Sequence, residues 1–447
     1  MMLRALAFLA VLAALTAAAV WFAEHPGDVT IRATIPWAEW PEFALTTSVG
    51  VLLVAVAGVA VAAALVHRFW RWLRGGPRRF AEGRAARRRE HGYQALTKGL
   101  VAIAAGDAKA ARRFAKHAGR LLDNPLNLLV LAQAARLNAD ETSARRHFSA
   151  MIEHRETEFL GLRGLIAQAT QAGDWDAALG YARRAHALSP ESAWASEALF
   201  DLEARAGDWR GAQRTLEAAG RKRLGAAEAS RRRAVVLAAR ARVARGEGRD
   251  EQALALAREA HKLAPELVEA TALAAELLTA SGKTRAARKL IEKGWARAPH
   301  PELVRAYAAL APDEAAIQRL KRFERLRELQ PDHPESRIAL AEAALAAELW
   351  GVARGHLEAA AGDRPSQRVF RLLATIEEHG GGDAEAIRRW LQRAADAPPD
   401  AAWRCEKCGA AATEWSARCA ACGAFDGLAW RAPPAPAVVV DAAMAQE

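Results

Sequence analysis

The chain has 447 residues, of which 52% are hydrophobic and 26% are charged, with a net charge of +11 and four cysteines. Residues 68–90 contain nine arginines and two glutamates, so this one stretch holds seven of the eleven net positive charges. Nucleic-acid binding needs basic residues clustered on a folded surface and usually a recognisable motif. Neither is present, so the composition excludes nucleic acid as the expected partner.

Two apolar segments precede the arginine-rich stretch. Residues 46–66 carry no charge, and a helix of that length spans roughly 30 Å, the thickness of a hydrocarbon core. Residues 5–22 form a shorter apolar run that predicts a second span or, alternatively, a signal peptide that is removed. We favour a retained span, because no polar region separates its alanines from Val20-Trp21-Phe22. Two transmembrane helices are therefore predicted, at about 5–22 and 46–66.

The arginines of residues 68–90 indicate the orientation of the chain. Basic residues that flank a span stay on the cytoplasmic side of the membrane. They predict a multi-pass membrane protein with the C-terminal bulk in the cytoplasm. The same arginines suit the anionic lipid headgroups of that leaflet.

Residues 91–400 read as a repeat array of helices. Apolar residues recur at three- and four-residue spacing, which is typical of amphipathic helices. A proline returns every 34, 32, 34 and 34 residues, at Pro265, Pro299, Pro331, Pro365 and Pro399. Small residues occupy fixed places after each turn, and this combination is typical of tetratricopeptide repeats. The sequence thus predicts an all-α solenoid of about nine helix pairs, the first covering about 91–124.

Three further expectations concern the array. The spacing between Pro190 and Pro265 is too long for two repeats, and we place the excess in a loop at about 220–230. The run Arg231-Arg232-Arg233 is interpreted as a solvated helix start. Six tryptophans are expected to pack within or between repeats rather than to bind a ligand: Trp175, Trp194, Trp209, Trp295, Trp350 and Trp390.

A solenoid of this kind presents a concave groove. Such grooves bind extended peptides or partner helices. Protein partners in the groove are therefore the expected ligands of residues 91–400.

The four cysteines form two C-x-x-C pairs near the end, each followed by a glycine: Cys405, Cys408, Cys419 and Cys422. This pattern is typical of a closed, tetrahedral structural zinc site with no position open for chemistry. The alternatives are disulfides or free thiols, and a reducing cytoplasm disfavours disulfides. Iron is the less favoured metal. We predict that residues 401–430 fold around Zn²⁺, and that the Ala- and Pro-rich tail, 431–447, is disordered.

Motifs of catalysis are absent from the sequence. There is no nucleotide-binding glycine pattern, no phosphate loop, no nucleophile elbow and no metalloprotease motif. The twelve histidines are scattered, and none stands at ligand spacing from a cysteine or carboxylate. We predict no catalytic residue, no cofactor-binding residue and no enzyme activity, and no residue supports a porphyrin site.

The first 120 residues resemble the HemY family of inner-membrane tetratricopeptide proteins associated with haem biosynthesis. The resemblance lies in Pro26-Gly27-Asp28-Val29 with Trp37, in Thr46-Thr47-Ser48-Val49, and in Gly92-Tyr93-Gln94-Ala95-Leu96. It implies a non-catalytic scaffold whose protein partners include enzymes of haem biosynthesis.

The cysteine segment is instead similar to the rubredoxin-like metal domain that ends lipopolysaccharide assembly protein B. That similarity implies a second reading, an adaptor in envelope quality control that presents a substrate to a protease. The first domain favours the haem-related reading, which is the leading hypothesis from the sequence.

Overall fold

The computed structural model describes residues 27–33, 43–219, 225–362 and 365–433, with isolated positions between 13 and 24. Residues 1–137 and 138–447 form two compact units. Apart from those isolated positions, the predicted span at 5–22 lies outside the described residues, and so does the tail from residue 434. Those two predictions stay predictions.

The first unit begins with a β-hairpin that the sequence did not suggest. Strand β1, Asp28–Ala33, pairs antiparallel with β2, Phe43–Ser48, and Asp28 lies opposite Ser48. The helix that could span the membrane therefore begins three residues later than the sequence predicts, because Thr46–Ser48 belongs to β2. Threonine, which is β-branched, favours this extended backbone.

Helix α1, Val49–Ala104, has 56 residues. Its first 22 residues, Val49–Trp70, are long and apolar enough to cross a membrane, and most of their side chains are exposed. The helix continues through the arginine-rich stretch into the first repeat without a break. The sequence predicted three separate segments here, whereas alanine and arginine, both good helix formers, join them into one.

Two shorter helices complete the first unit, α2, Ala108–Leu121, and α3, Leu126–Leu137. The turn between α1 and α2 falls at Gly106-Asp107. The Asp107 carboxylate accepts a hydrogen bond from the Ala110 N–H at 2.9 Å and so caps α2. Gly92, within the sequence that resembles HemY, packs against Leu122 with no space for a larger side chain.

The second unit is the rest of the array. Fifteen helices follow one another: α4 (Glu141–Met151), α5 (Glu158–Ala172), α6 (Trp175–Leu188), α7 (Ala193–Arg205), α8 (Trp209–Ala219), α9 (Ala226–Gly246), α10 (Asp250–Leu263), α11 (Val268–Ala280), α12 (Thr284–Trp295), α13 (Pro301–Ala308), α14 (Ala316–Leu329), α15 (Pro334–Ala346), α16 (Trp350–Ala361), α17 (Gln367–His379) and α18 (Ala384–Asp396). In chain order the helices of the described residues make nine pairs, which agrees with the repeat count from the sequence.

The repeat signature marks the boundaries of these pairs. Each of the five periodic prolines lies between one pair and the next or directly after the last. The small residues predicted at helix crossings are buried, for example Ala178, Ala253, Ala287 and Ala353, each with no exposed surface. Small side chains there let neighbouring helices approach closely, so the tetratricopeptide-type solenoid is confirmed.

Helix α9 departs from the expectation of a loop at 220–230. It begins at Ala226, and only residues 220–224 of that range lie outside the described residues. Nor is Arg231-Arg232-Arg233 a solvated helix start. Each of the three arginines is half-buried and forms an ion pair, with Asp426, Glu197 and Glu259 respectively. Arg232 also pairs with Glu228, four residues earlier, but these three partners lie 26 or more residues away, so no local pattern could reveal them.

The six tryptophans of the array pack as predicted. Trp295 has no exposed surface. The other five are half-buried, and four of them, Trp175, Trp194, Trp350 and Trp390, pack against the apolar cores of neighbouring repeats. Trp209 packs against the core that the array shares with the C-terminal segment.

That segment contains three short strands, β3 (Ala402–Cys405), β4 (Ala411–Ala412) and β5 (Leu428–Arg431). They form an antiparallel sheet in the order β4-β3-β5. We call residues 402–431 the four-cysteine domain. Its buried residues Trp403, Trp415 and Leu428 share one apolar cluster with residues of α9, α10 and α11.

Candidate metal centre and groove

The four-cysteine domain is built on two turns, which we call the first knuckle (residues 405–410) and the second knuckle (419–424). Both have the sequence Cys-x-x-Cys-Gly-Ala. In each, the glycine N–H donates to the carbonyl oxygen of the leading cysteine at 2.8 Å, and that cysteine's N–H donates to the carbonyl of the alanine at 2.9 Å. Gly409 has φ of 76° and Gly423 of 71°, a left-handed backbone that other residues rarely adopt.

The knuckles bring all four cysteines together. Their Sγ atoms lie within 4.8 Å of one another. Two of the distances between the knuckles are 3.6 Å, for Cys405–Cys422, and 3.7 Å, for Cys408–Cys419. These are too long for a disulfide, at about 2.05 Å. They match the roughly 3.8 Å expected between thiolates that surround one ion tetrahedrally at about 2.3 Å. The cluster can therefore hold a metal ion.

Backbone amides prepare the cluster for a cation. The N–H groups of Cys408 and Lys407 lie close to the Cys405 sulfur and lower the pKa of Cys405 to about 6. The Ala410 N–H lowers the pKa of Cys408, but the sulfurs of Cys422 and Cys405 raise it more, to about 12. The Cys405 thiolate therefore forms easily while the Cys408 thiol keeps its proton, and a bound cation would stabilise the thiolate forms of both.

Polar contacts hold the domain on the repeats. The Nε and Nη2 atoms of Arg231 donate to the two carboxylate oxygens of Asp426 at 2.8 and 2.9 Å. Arg242 donates to Glu414 at 2.9 Å and to the carbonyl oxygen of Trp415. Bidentate arginine–carboxylate pairs fix orientation as well as contributing energy, so α9 defines how the domain sits.

His300 forms part of the same interface and is buried. Its Nδ1 accepts from the Glu302 N–H at 3.1 Å, which caps α13. The ring contacts Trp403 and Trp430 at centroid distances of 5.1 and 4.3 Å. Burial, and next the charge of Arg305, lower the pKa of His300 to about 4. His300 therefore caps α13 and packs against the aromatic rings of the domain.

Between the domain and the repeats lies a cavity of about 1380 Å³, which we call the groove. Its wall contains residues at or next to the start of the first helix in each of four successive repeats: Val268, His300, Pro334 and Ser366. Trp403, Trp430 and Phe370 add aromatic surface. The groove is therefore an open concave site that runs across four repeats and is covered on one side by the four-cysteine domain.

A buried carboxylate lies beside the contacts of Arg242. Burial raises the pKa of Glu269 to about 7, although Arg242 lowers it. The Arg242 Nε lies 3.5 Å from this carboxylate, and the same guanidinium contacts Glu414 of the domain. The charge state of Glu269 thus affects one of the contacts that hold the domain.

Sequence reasoning found the cysteines but missed the residues that receive the domain. Arg231, Arg242 and His300 lie far from the cysteines in the sequence, and no spacing links them. One signal was present, since a short metal domain rich in tryptophan needs apolar surface to bury. That signal predicts docking without naming the residues.

Comparison with known proteins gives two matches by sequence. Residues 27–139 match the model of the HemY protein N-terminus. The chain is 30% identical over 435 residues to the probable magnetosome protein Mms48 of Magnetospirillum gryphiswaldense, an alignment that covers 96% of this chain and 94% of that protein.

Among solved structures, the chain is similar to the TPR2AB domain of yeast Sti1 in complex with pHSP90, with 14% identity, 68% of this chain and 98% of that chain covered, and a TM-score of 0.30. It is also similar to a MamA protein, with 16% identity, coverage of 39% and 91%, and a TM-score of 0.27. The fold assignment rests on the helices themselves.

Proposed function

This chain belongs to the HemY family, and on that premise we propose that it is a non-catalytic scaffold anchored in the bacterial inner membrane. The observation that carries this proposal is the groove, an open site of about 1380 Å³ crossing four repeats. Concave surfaces of stacked helix pairs bind extended peptides or helices. The proposed ligand is a protein partner, and haem biosynthesis is the proposed process.

The arrangement of the chain supports the location. The candidate span, Val49–Trp70, overlaps at its end with the arginine-rich residues 68–90. Basic residues beside a span remain cytoplasmic, so we propose that the repeats of residues 91–400 and the metal domain of 401–430 face the cytoplasm. The arginines would contact anionic headgroups, and a span at 5–22 would make the protein multi-pass.

The metal centre has a structural role in this proposal. Cys405, Cys408, Cys419 and Cys422 would hold Zn²⁺, with iron as the less favoured ion. Four protein ligands leave no open position for a substrate. The proposed absence of enzyme activity rests on this closed site and on the missing catalytic motifs.

Crosslinking in membranes tests the scaffold proposal, with the full chain as bait. Ser366 borders the groove, and its side chain makes no capping hydrogen bond, so Ser366→Arg should obstruct the groove without removing a contact. We expect this variant to lose partners that the wild type retains. Ser281→Arg is the control, because Ser281 follows the far end of α11, about 20 Å from Val268. Equal recovery of partners by both variants would contradict binding in the groove.

Porphyrin measurement tests the proposed process. Deleting the gene should change the levels of haem or of porphyrin intermediates, and the wild-type copy should restore them. Unchanged levels would reject the haem assignment while leaving the scaffold proposal to the crosslinking experiment.

A second candidate is an adaptor in envelope quality control, favoured by the four-cysteine domain that packs against the repeats. This candidate predicts that Cys405→Ser alters lipopolysaccharide levels. A normal lipopolysaccharide level together with a changed porphyrin pattern would reject it.

A further inference from the structure

The second knuckle faces two arginines from different parts of the chain. Arg205 ends helix α7, and Arg418 directly precedes the knuckle. A Cβ atom placed on Gly423 would lie 2.8 Å from Nη1 of Arg205 and 2.9 Å from Nη2 of Arg418. Both guanidinium groups therefore lie against the glycine that follows Cys422.

Neither arginine has a carboxylate as its direct partner. Arg205 stacks on Trp175, with its Cζ 3.4 Å from the ring centroid. Arg418 donates from Nη1 to the backbone carbonyl of Asp201 at 2.5 Å. The carboxylate of Asp201 attracts Arg418 and lines the same cavity. The two guanidinium groups repel each other, and one carboxylate balances only one of their two charges, so a further negative charge would stabilise their convergence.

The cysteine cluster supplies that charge when a metal is bound. Four thiolates around a divalent cation retain two negative charges. Cys422 and Gly423 line the same cavity as Arg205 and Arg418, with a volume of about 770 Å³. Lys407, from the first knuckle, also lines it. The cations and the cluster are therefore complementary in charge.

We propose that Arg205 and Arg418 neutralise the metal-loaded cysteine cluster, so that helix α7 of the repeats contributes to metal binding by the C-terminal domain. Arg205 reaches the cluster only while the domain is docked. Metal affinity and docking are then coupled, and each strengthens the other by the same factor. Arg205 is thus a positioning residue for the domain as well as an electrostatic partner of the metal centre.

The first knuckle has no guanidinium group against its glycine, so such contacts are not a general property of these turns. A Cβ on Gly409 would meet no atom within 4 Å, and Cys408 and Gly409 are exposed. The two knuckles share their sequence pattern and backbone hydrogen bonds. The guanidinium groups are therefore specific to the surface that faces the repeats.

Metal competition in the full-length protein, purified in detergent, tests the proposal. Zn²⁺ is distributed between the protein and a chromogenic chelator, and the apparent affinity is compared between variants. We expect Arg205→Ala to bind Zn²⁺ about tenfold more weakly, the size typical for groups that surround a metal site. Arg205→Lys, which keeps the charge, should recover most of the affinity. The deficit of Arg205→Ala should shrink at high salt, since salt screens the interaction that is lost.

Arg393→Ala is the matched control. Arg393 also stacks on a tryptophan, with its Cζ 5.0 Å from the centroid of Trp390, but it lies on the last helix of the array. We expect its Zn²⁺ affinity to equal that of the wild type. Far-UV circular dichroism then confirms that each variant keeps its helices.

Two results would overturn the proposal. One is wild-type affinity in a helical Arg205→Ala variant. The other is an equal loss in Arg205→Lys and Arg205→Ala, which would assign Arg205 to packing on Trp175. The proposal rests on the proposed metal centre, and a wild-type protein that binds no metal rejects both together. Failure to capture a partner in the groove leaves these affinities unchanged and rejects the scaffold alone.

Discussion

The two knuckles of the four-cysteine domain have the same local structure but different surroundings. Both use Cys-x-x-Cys-Gly-Ala, and both close with the same pair of backbone hydrogen bonds. The first knuckle is exposed at Cys408 and Gly409, whereas Cys422 and Gly423 of the second are half-buried beside Arg205. The comparison shows that the local sequence determines the metal ligands. The fold of the repeats determines which knuckle is contacted by residues from outside the domain.

Loss of one ligand should have the largest effect and should be equal in the two knuckles. In a site that has four ligands, each thiolate is needed, and metal binding is also the folding energy of so small a domain. We expect Cys408→Ser and Cys422→Ser each to abolish stoichiometric Zn²⁺ and to make residues 401–430 sensitive to protease. Metal content and limited proteolysis measure this. A variant that retains metal would exclude the four-cysteine site.

Alanine substitution of the glycine in each knuckle should weaken Zn²⁺ binding to different extents. Both substitutions place a side chain in the left-handed region, which costs about 1–2 kcal/mol. Gly423→Ala must also displace Arg205 and Arg418, whereas Gly409→Ala meets only open space. We therefore expect Gly423→Ala to weaken Zn²⁺ binding about tenfold more than Gly409→Ala. Equal Zn²⁺ affinities of the two variants in the chelator competition would contradict a special role for the second knuckle.

Ion pairs beside the two knuckles should differ in strength. Asp426 receives both hydrogen bonds from Arg231 and is mostly buried, whereas Glu406 of the first knuckle lies 3.7 Å from Arg431 and both of these side chains are exposed. We expect Asp426→Asn to lower the free energy of unfolding of the docked domain by about 2–3 kcal/mol. Glu406→Gln should cost at most about 0.5 kcal/mol. Denaturant titration followed by tryptophan fluorescence compares them, and similar losses would contradict the account.

The pH dependence of docking should be the smallest effect. Burial raises the pKa of Glu269 to about 7, above its ordinary value. Its contribution to stability is therefore fully present below the ordinary pKa and is lost as pH rises through about 7. We expect a decrease of about 1–2 kcal/mol over that range. Glu269→Gln should flatten the profile, and an unchanged slope would assign the pH dependence to other groups.

The sequence predicts much of this molecule because its signals are local and periodic. The prolines and small residues define the repeats, and the cysteines with their glycines define the knuckles. The hairpin of β1 and β2 was missed, since its two strands pair residues across a connection and neither strand is long. The contacts of Arg205 and Arg231 depend on a docking geometry that no spacing encodes. The sequence therefore reveals the metal ligands, but it does not reveal the residues of the repeats that contact the four-cysteine domain.

Hydrogen–deuterium exchange of the full-length protein, with its metal and after removal of the metal by a chelator, tests the central claim most directly. The claim is that metal binding and docking on the repeats are coupled. We predict that metal removal accelerates exchange in residues 402–431 and also in α7 and α9, which contact the domain, while α4 and α16 remain unchanged. Faster exchange confined to residues 402–431, with α7 and α9 as protected as before, would contradict that coupling.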